Sequence, residues 1–199
     1  EKAKEVLEKQ DEPSIESYNK LIMAYGMAGD FEAAESLFRS LLTEGNANQK
    51  SWVQIMKAAL SQDDYEDEEE GSLVESCFDE MEEEGFEPET DAYNVLIRSI
   101  GQDANGFSKT AGRMIADYRE GDETKKPNVG TFRALLTTYH KQGPKKLATA
   151  SSAAKVEQLL QFMDGLVTQE EKEMQFSATA VAYRMALDVF WWSKDPKKA

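Results

Sequence analysis

One side-chain pattern returns five times along the chain and limits its possible folds more than anything else in it. An aromatic residue is followed by residues of the same apolar face three, four and seven positions later. The copies are Tyr18-Leu21-Ile22-Tyr25, Trp52-Ile55-Met56-Ala59, Tyr93-Leu96-Ile97-Ile100, Phe132-Leu135-Leu136-Tyr139 and Tyr183-Ala186-Leu187-Phe190. This is the stripe of an amphipathic helix with one buried face. A second pattern falls between successive copies: Leu37-Phe38-Leu41, Cys77-Phe78-Met81, Met114-Ile115-Tyr118 and Leu159-Leu160-Met163, with Val6-Leu7 as the tail of an earlier one. The unit is therefore two antiparallel helices.

The aromatics that open the first helices are spaced 34, 41, 39 and 51 residues apart. The shortest spacing gives the minimal unit, and the others carry insertions in the turns, where a longer loop costs little closure entropy. In the first unit Gly29-Asp30 separates the stripes: glycine stops one helix and aspartate caps the next. The second unit gains acidic text around 63–71, the third a Gly-containing turn near Asn105-Gly106, the fourth the Lys145–Ser152 region. The connector from Asp164 to Thr179 is also lengthened. The expected organisation is 1–14 as the second helix of a preceding repeat, then repeats at 15–48, 49–89, 90–128 and 129–179, then 180–199 as the first helix of a fifth. A lone hairpin cannot bury both stripes, whereas stacked hairpins make a continuous core. The expected fold is all-α, and the chain reads as a window on a longer array with an uncovered apolar face at one or both ends.

The formal charge of −15 runs against a nucleic-acid ligand, which usually pairs with a basic protein. Its location changes that reading. Fifteen Asp and Glu and no Lys or Arg lie between Ser61 and Glu89, and removing them leaves acids and bases equal at 23 each. One cysteine, Cys77, and one histidine, His140, exclude an internal disulfide and a zinc site of four Cys or His ligands. No Walker loop, dinucleotide glycine fingerprint, HExxH or glycine-flanked serine is present, so neither an enzyme nor a cofactor is expected. The longest apolar runs, such as Val189-Phe190-Trp191-Trp192, are too short to span a bilayer, and no basic-plus-apolar leader follows Glu1.

Tetratricopeptide units share the 34-residue length, but none of the five first helices has their Leu-Gly pair. Ser17-Tyr18-Asn19-Lys20-Leu21-Ile22 and Ala92-Tyr93-Asn94-Val95-Leu96-Ile97 instead resemble the T-Y-N-x-L-I opening of pentatricopeptide repeats. Gly85-Phe86-Glu87-Pro88-Glu89 resembles that family's closing, and Pro127-Asn128-Val129-Gly130-Thr131-Phe132 its junction, as does Pro13-Ser14-Ile15. The resemblance covers nearly the whole chain. It implies a right-handed α-solenoid that binds single-stranded RNA in a mitochondrion or plastid, in RNA processing, stability, editing or translation.

In that family each repeat faces about one unstacked base with two or three side chains. The resemblance places Asn19, Val53, Asn94, Arg133 and Arg184 after the first-helix aromatic, and Asn48, Glu89, Asn128 and Thr179 at the repeat ends. An asparagine pair implies a pyrimidine, since the amide offers both donor and acceptor. Val53 cannot hydrogen-bond a base, and the two arginines suit phosphate or stacking. The family's aliphatic sandwich residue is replaced by Glu16, Lys50, Asp91 and Gly130. Further along the same helical faces come Lys57, Arg98, His140 and Lys141, candidates for the RNA backbone. If Lys57, Arg98, Arg133, Lys141 and Arg184 each met a phosphate, log affinity would fall with log salt at a slope of about −3.5.

The alternative is a protein-interaction scaffold, because helical solenoids offer grooves to partner helices and peptides. The acidic run 63–70 suits it, as a recruiter of a basic partner; the same run also reads as a shield against nonspecific RNA or as a solvated loop.

Overall fold

Helices in this chain begin where a small polar side chain accepts a backbone N–H, and many stop where a glycine turns the backbone left-handed. Ser14 starts α1 (Ile15–Met27), its hydroxyl accepting from the Ser17 N–H at 3.3 Å. Gly29, at φ +75°, closes it: the Gly29 N–H reaches the Gly26 carbonyl at 3.1 Å and the Asp30 N–H the Tyr25 carbonyl at 3.0 Å. These two bonds satisfy carbonyls that a helix end leaves open. Asp30 then caps α2 (Phe31–Thr43), accepting from the Ala33 N–H at 3.1 Å. The glycine stop and aspartate cap expected at Gly29-Asp30 are both present. Gly45, Gly85 and Gly121 close second helices with the same pair of bonds.

The computed structural model describes residues 13–61, 73–100, 104–141, 143, 150–166 and 176–193. After α1 and α2 come α3 (Gln49–Leu60), α4 (Leu73–Glu83), α5 (Thr90–Ser99), α6 (Ala104–Arg119), a 3-10 turn (Glu123–Lys125), α7 (Val129–Lys141), α8 (Ala150–Leu166) and α9 (Phe176–Trp192). The described residues are all helical or connecting, and they form an α-solenoid of helical hairpins. The chain divides into two compact units, Glu1–Ser99 and Ile100–Ala199.

In the first unit the helices that carry the aromatic stripes form one layer: α1 packs on α3 and α3 on α5, while α2 and α4 each fill the joint behind the next first helix. The joint is built twice from the same parts. Phe38 of α2 meets Trp52 of α3 edge-on at 4.6 Å, and Phe78 of α4 meets Tyr93 of α5 edge-on at 5.3 Å. Such pairs contribute about 0.5–1.5 kcal/mol beyond the area they bury. Arg39 ties α2 to α4 through Glu80 and also contacts Glu35. The hydrogen bond to Glu80 raises the arginine further above its already high value, against a smaller opposing effect of burial.

In the second unit α7 packs on α9, with α8 against both. Phe132 meets Phe162 edge-on at 5.9 Å, in a core completed by Val129, Met163, Leu160 and Leu166. Two expectations change here. Asn105-Gly106 do not form a turn; they lie in the first turn of α6, where the leading N–H groups have no intrahelical partner and these residues cost least. The fifth stripe is also rotated: α9 buries Ala182, Ala186, Val189 and Phe190, whereas Tyr183 and Leu187 are exposed and Trp191 most of all. Small alanines let α9 sit close on α7, and that contact sets the buried face.

The expected insertion at 63–71, the helix tail at Val6-Leu7 and residues 145–149 of the expected insertion Lys145–Ser152 lie outside the described residues, whereas the rest of that insertion, from Ala150, opens α8 and is not loop. No helix among the described residues is long and apolar enough to cross a membrane.

The 3-10 turn carries a titration of its own. Asp122 accepts from the Thr124 backbone and hydroxyl and pairs with Lys125 at 2.9 Å, and the Thr124 and Lys125 contacts hold its carboxyl below the usual value of 3.8. A carboxyl lowered in the folded state contributes stability above its unfolded pKa and loses it as pH falls through the folded one. The protection of the Thr124 amide, its exchange relative to the intrinsic rate at each pH, is therefore expected to fall below about pH 4, and Asp122→Asn to remove that pH dependence.

Candidate nucleic-acid interface

The capping residue of α3 is also a neighbour of the first aromatic stripe. Asn48 has extended backbone, and its Oδ1 accepts the Ser51 N–H at 3.0 Å while the Ser51 hydroxyl accepts the Asn48 N–H at 3.1 Å. This reciprocal box satisfies two N–H groups at the head of α3. From α1, the residue after Tyr18 reaches across: Asn19 Nδ2 donates to Asn48 Oδ1 at 3.3 Å. Two residues 29 positions apart, both expected to face a base, are thus joined by a hydrogen bond.

The box fixes more than position. A backbone N–H only donates, so the Asn48 atom facing Ser51 is its oxygen, and the Asn19 atom facing that oxygen is its nitrogen. Asn19 is 6% exposed, and its own Oδ1 is buried with no hydrogen-bond partner among the described residues.

Asn19 lines a groove of about 310 Å³ between α1 and α3, with Glu16, Lys20 and Met23 from α1 and Lys50 and Gln54 from α3. That size is at the lower end of small-ligand clefts. Glu16 and Lys50 pair at 3.5 Å across it, both largely exposed, so the contact is worth at most about 1 kcal/mol. These are two of the positions where the family was expected to place an aliphatic sandwich, and here an ion pair spans the helices instead.

The remaining predicted residues fall into several classes. Val53 is 7% exposed and belongs to the core. Asn94 lies in α5 of the first unit and is 9% exposed. Glu89 is exposed ahead of α5, where its carbonyl accepts from Ala92 and Tyr93. In the second unit Asn128 caps α7 as Asn48 caps α3: its Oδ1 accepts the Thr131 N–H at 3.1 Å and the Thr131 hydroxyl accepts its N–H. Thr179 lies inside α9, which begins at Phe176, and so does not hold the capping place that Asn48 and Asn128 hold.

Among the cations, Lys57 and Arg184 are exposed and Arg98 and Arg133 half-buried. His140 meets Asp188 of α9 at 2.9 Å and stacks near Trp192 at 4.9 Å, so an acid already faces it. The side chains of Lys141 and Thr179 lie outside the described residues. Sequence reasoning missed Lys20, Met23 and Gln54. Each is one or two helical turns from a named position, Glu16 or Lys50, which is the signal that finds them.

Two family models match the chain: that of the PPR repeat over residues 16–46 and that of the pentatricopeptide repeat domain over residues 63–103. A pentatricopeptide repeat-containing protein of Arabidopsis thaliana is 28% identical over 135 residues, which covers 66% of this chain and 22% of that protein. The chain thus spans about a fifth of the length of the curated relative it matches.

Proposed function

We propose, for a chain that belongs to the pentatricopeptide repeat family, that its first helices bind single-stranded RNA and that Asn19 with Asn48 reads one pyrimidine. Proteins of this family generally bind RNA and are generally not enzymes, and those of plants are commonly organellar. The finer reading is ours: repeats at 15–48, 49–89 and 90–128 and a fourth from 129 that ends before α9 opens at Phe176, acting on RNA in a mitochondrion or plastid. The observation that carries it is the hydrogen bond between two asparagines beside a groove of about 310 Å³. Asn94 stands after Tyr93 as Asn19 stands after Tyr18, and serves a second base. Arg98, Arg133, Arg184 and Lys57 meet phosphates, and bases stack at about 1–3 kcal/mol each.

Fluorescence anisotropy with a pyrimidine-rich single strand tests this. Asn19→Ala removes the donor to Asn48 and one base contact, and is expected to weaken binding roughly three- to tenfold. Charge reversal at Arg98 and Arg133 together is expected to flatten the dependence of log affinity on log salt by about 1.4. Binding that matches a polyanion control in affinity and ignores these changes would remove RNA in favour of a protein partner.

A further inference from the structure

The first groove holds more hydrogen-bonding capacity than the asparagine pair explains. Gln54, on α3 one turn beyond Lys50, faces the groove together with Asn19 from α1. Its Oε1 is buried without a hydrogen-bond partner among the described residues, as is Asn19 Oδ1. The two unmet carbonyl oxygens, one from each helix, belong to residues that line the same groove. Leaving such atoms unsatisfied is costly, and native chains do so rarely without a reason at the site.

Asn19 cannot relieve its oxygen by turning its amide over, because Asn48, itself held by the Ser51 N–H, demands the nitrogen. The groove therefore offers a fixed acceptor at Asn19 and, from the other helix, the amide of Gln54, whose oxygen has no partner among the described residues. The side chains that close it from water are long and exposed: Glu16, Lys20 and Lys50.

We infer that Gln54 is a third specificity-determining residue of the first groove, which takes a nucleobase bearing an exocyclic amino group and so prefers cytosine to uracil among pyrimidines. The inference rests on the RNA-binding reading above. A cytosine amino group carries two N–H bonds on one nitrogen, one for each of the two oxygens. Uracil has a single N–H flanked by two carbonyls, and seating it against the same pair sets oxygen against oxygen.

The test is binding of the full chain to oligo-C and oligo-U strands of equal length, for the parent, Gln54→Met and Gln54→Glu. Methionine keeps the length and drops the acceptor; glutamate keeps only acceptors. The parent is expected to prefer oligo-C about tenfold. Gln54→Met is expected to lose most of that preference, weakening oligo-C and, with one oxygen–oxygen clash gone, tightening oligo-U, and Gln54→Glu to keep the preference even if both affinities fall with the added charge. Equal weakening of both strands by Gln54→Met, no effect of it on either, or loss of the preference in Gln54→Glu overturns the role of Gln54 while leaving RNA binding in place. Failure of the parent to bind either strand above a polyanion control overturns the RNA-binding reading itself, and this inference with it. Circular dichroism of each variant confirms that the helices persist.

Discussion

Trp52→Ala is expected to cost the first unit roughly 3–5 kcal/mol, the range for truncating a large buried aromatic. Trp52 is fully buried, edge-on to Phe38 at 4.6 Å and tilted against Phe86 at 6.0 Å. It therefore joins the second helix of one hairpin, the first helix of the next and the turn that ends that hairpin. Its indole N–H has no hydrogen-bond partner among the described residues, so truncation loses packing and no polar bond. Against a total stability of about 5–15 kcal/mol for a domain, the loss leaves little margin. Chemical denaturation followed by far-ultraviolet circular dichroism measures it. A loss below about 1 kcal/mol would mean that the stack does not depend on this joint. Trp52→Phe, which keeps most of the apolar area, is expected to recover more than half of the effect.

Gly26→Ala is expected to destabilise the chain by about 1–2 kcal/mol, although alanine is the better helix former by about 1 kcal/mol. A Cβ at Gly26 would stand 2.7 Å from the Ala58 Cβ and 2.8 Å from its Cα. Those atoms are fixed to the backbone of α3, so relief requires the two helices to part. The groove lies between the same two helices, so parting them also stretches the 3.3 Å contact from Asn19 to Asn48. Loss of stability and loss of RNA affinity should therefore appear together in this variant. Ala58→Gly added to it removes the Cβ that clashes most closely and is expected to return part of both. A Gly26→Ala variant as stable as the parent would show that the first-helix layer is looser than its spacing indicates.

Most of the first unit was legible because its residues obey periodic rules. Leu21, Ile22, Ile55 and Met56 sit on the stripes that predicted them, and all are buried. The turn at Gly29-Asp30 was legible because glycine at positive φ and an aspartate cap are local chemistry. What escaped the sequence depends on partners. Nothing in Tyr183 and Leu187 tells which side of α9 faces α7; the alanines at 182 and 186 decide it by permitting close approach. Asn105-Gly106 has turn composition, yet it falls where a helix tolerates it. In the groove, Asn19 and Asn48 were named from family resemblance, but that Ser51 orients both amides is visible only in the bonds. Gln54 escaped because a polar residue on a helix face has no signature until the opposite wall is known. His140 read as one more positive charge until Asp188 appeared opposite it.

If Asn48 reads a base as proposed, its second duty as the cap of α3 restricts what descendants of this chain can come to recognise. A side chain at that place must accept the first N–H groups of α3 before it contributes anything to a ligand. The residues that do so well are few: Asn, Asp, Ser and Thr. Mutation can move recognition among these four at little structural cost, whereas other residues, glycine apart, forfeit about 1 kcal/mol of helix stability before their selectivity is tried. Asn19 carries no such obligation, and Gln54 none either. New preferences at the first groove should therefore arise more readily within α1 and α3 than at the cap, which acts as a short alphabet imposed by folding on binding.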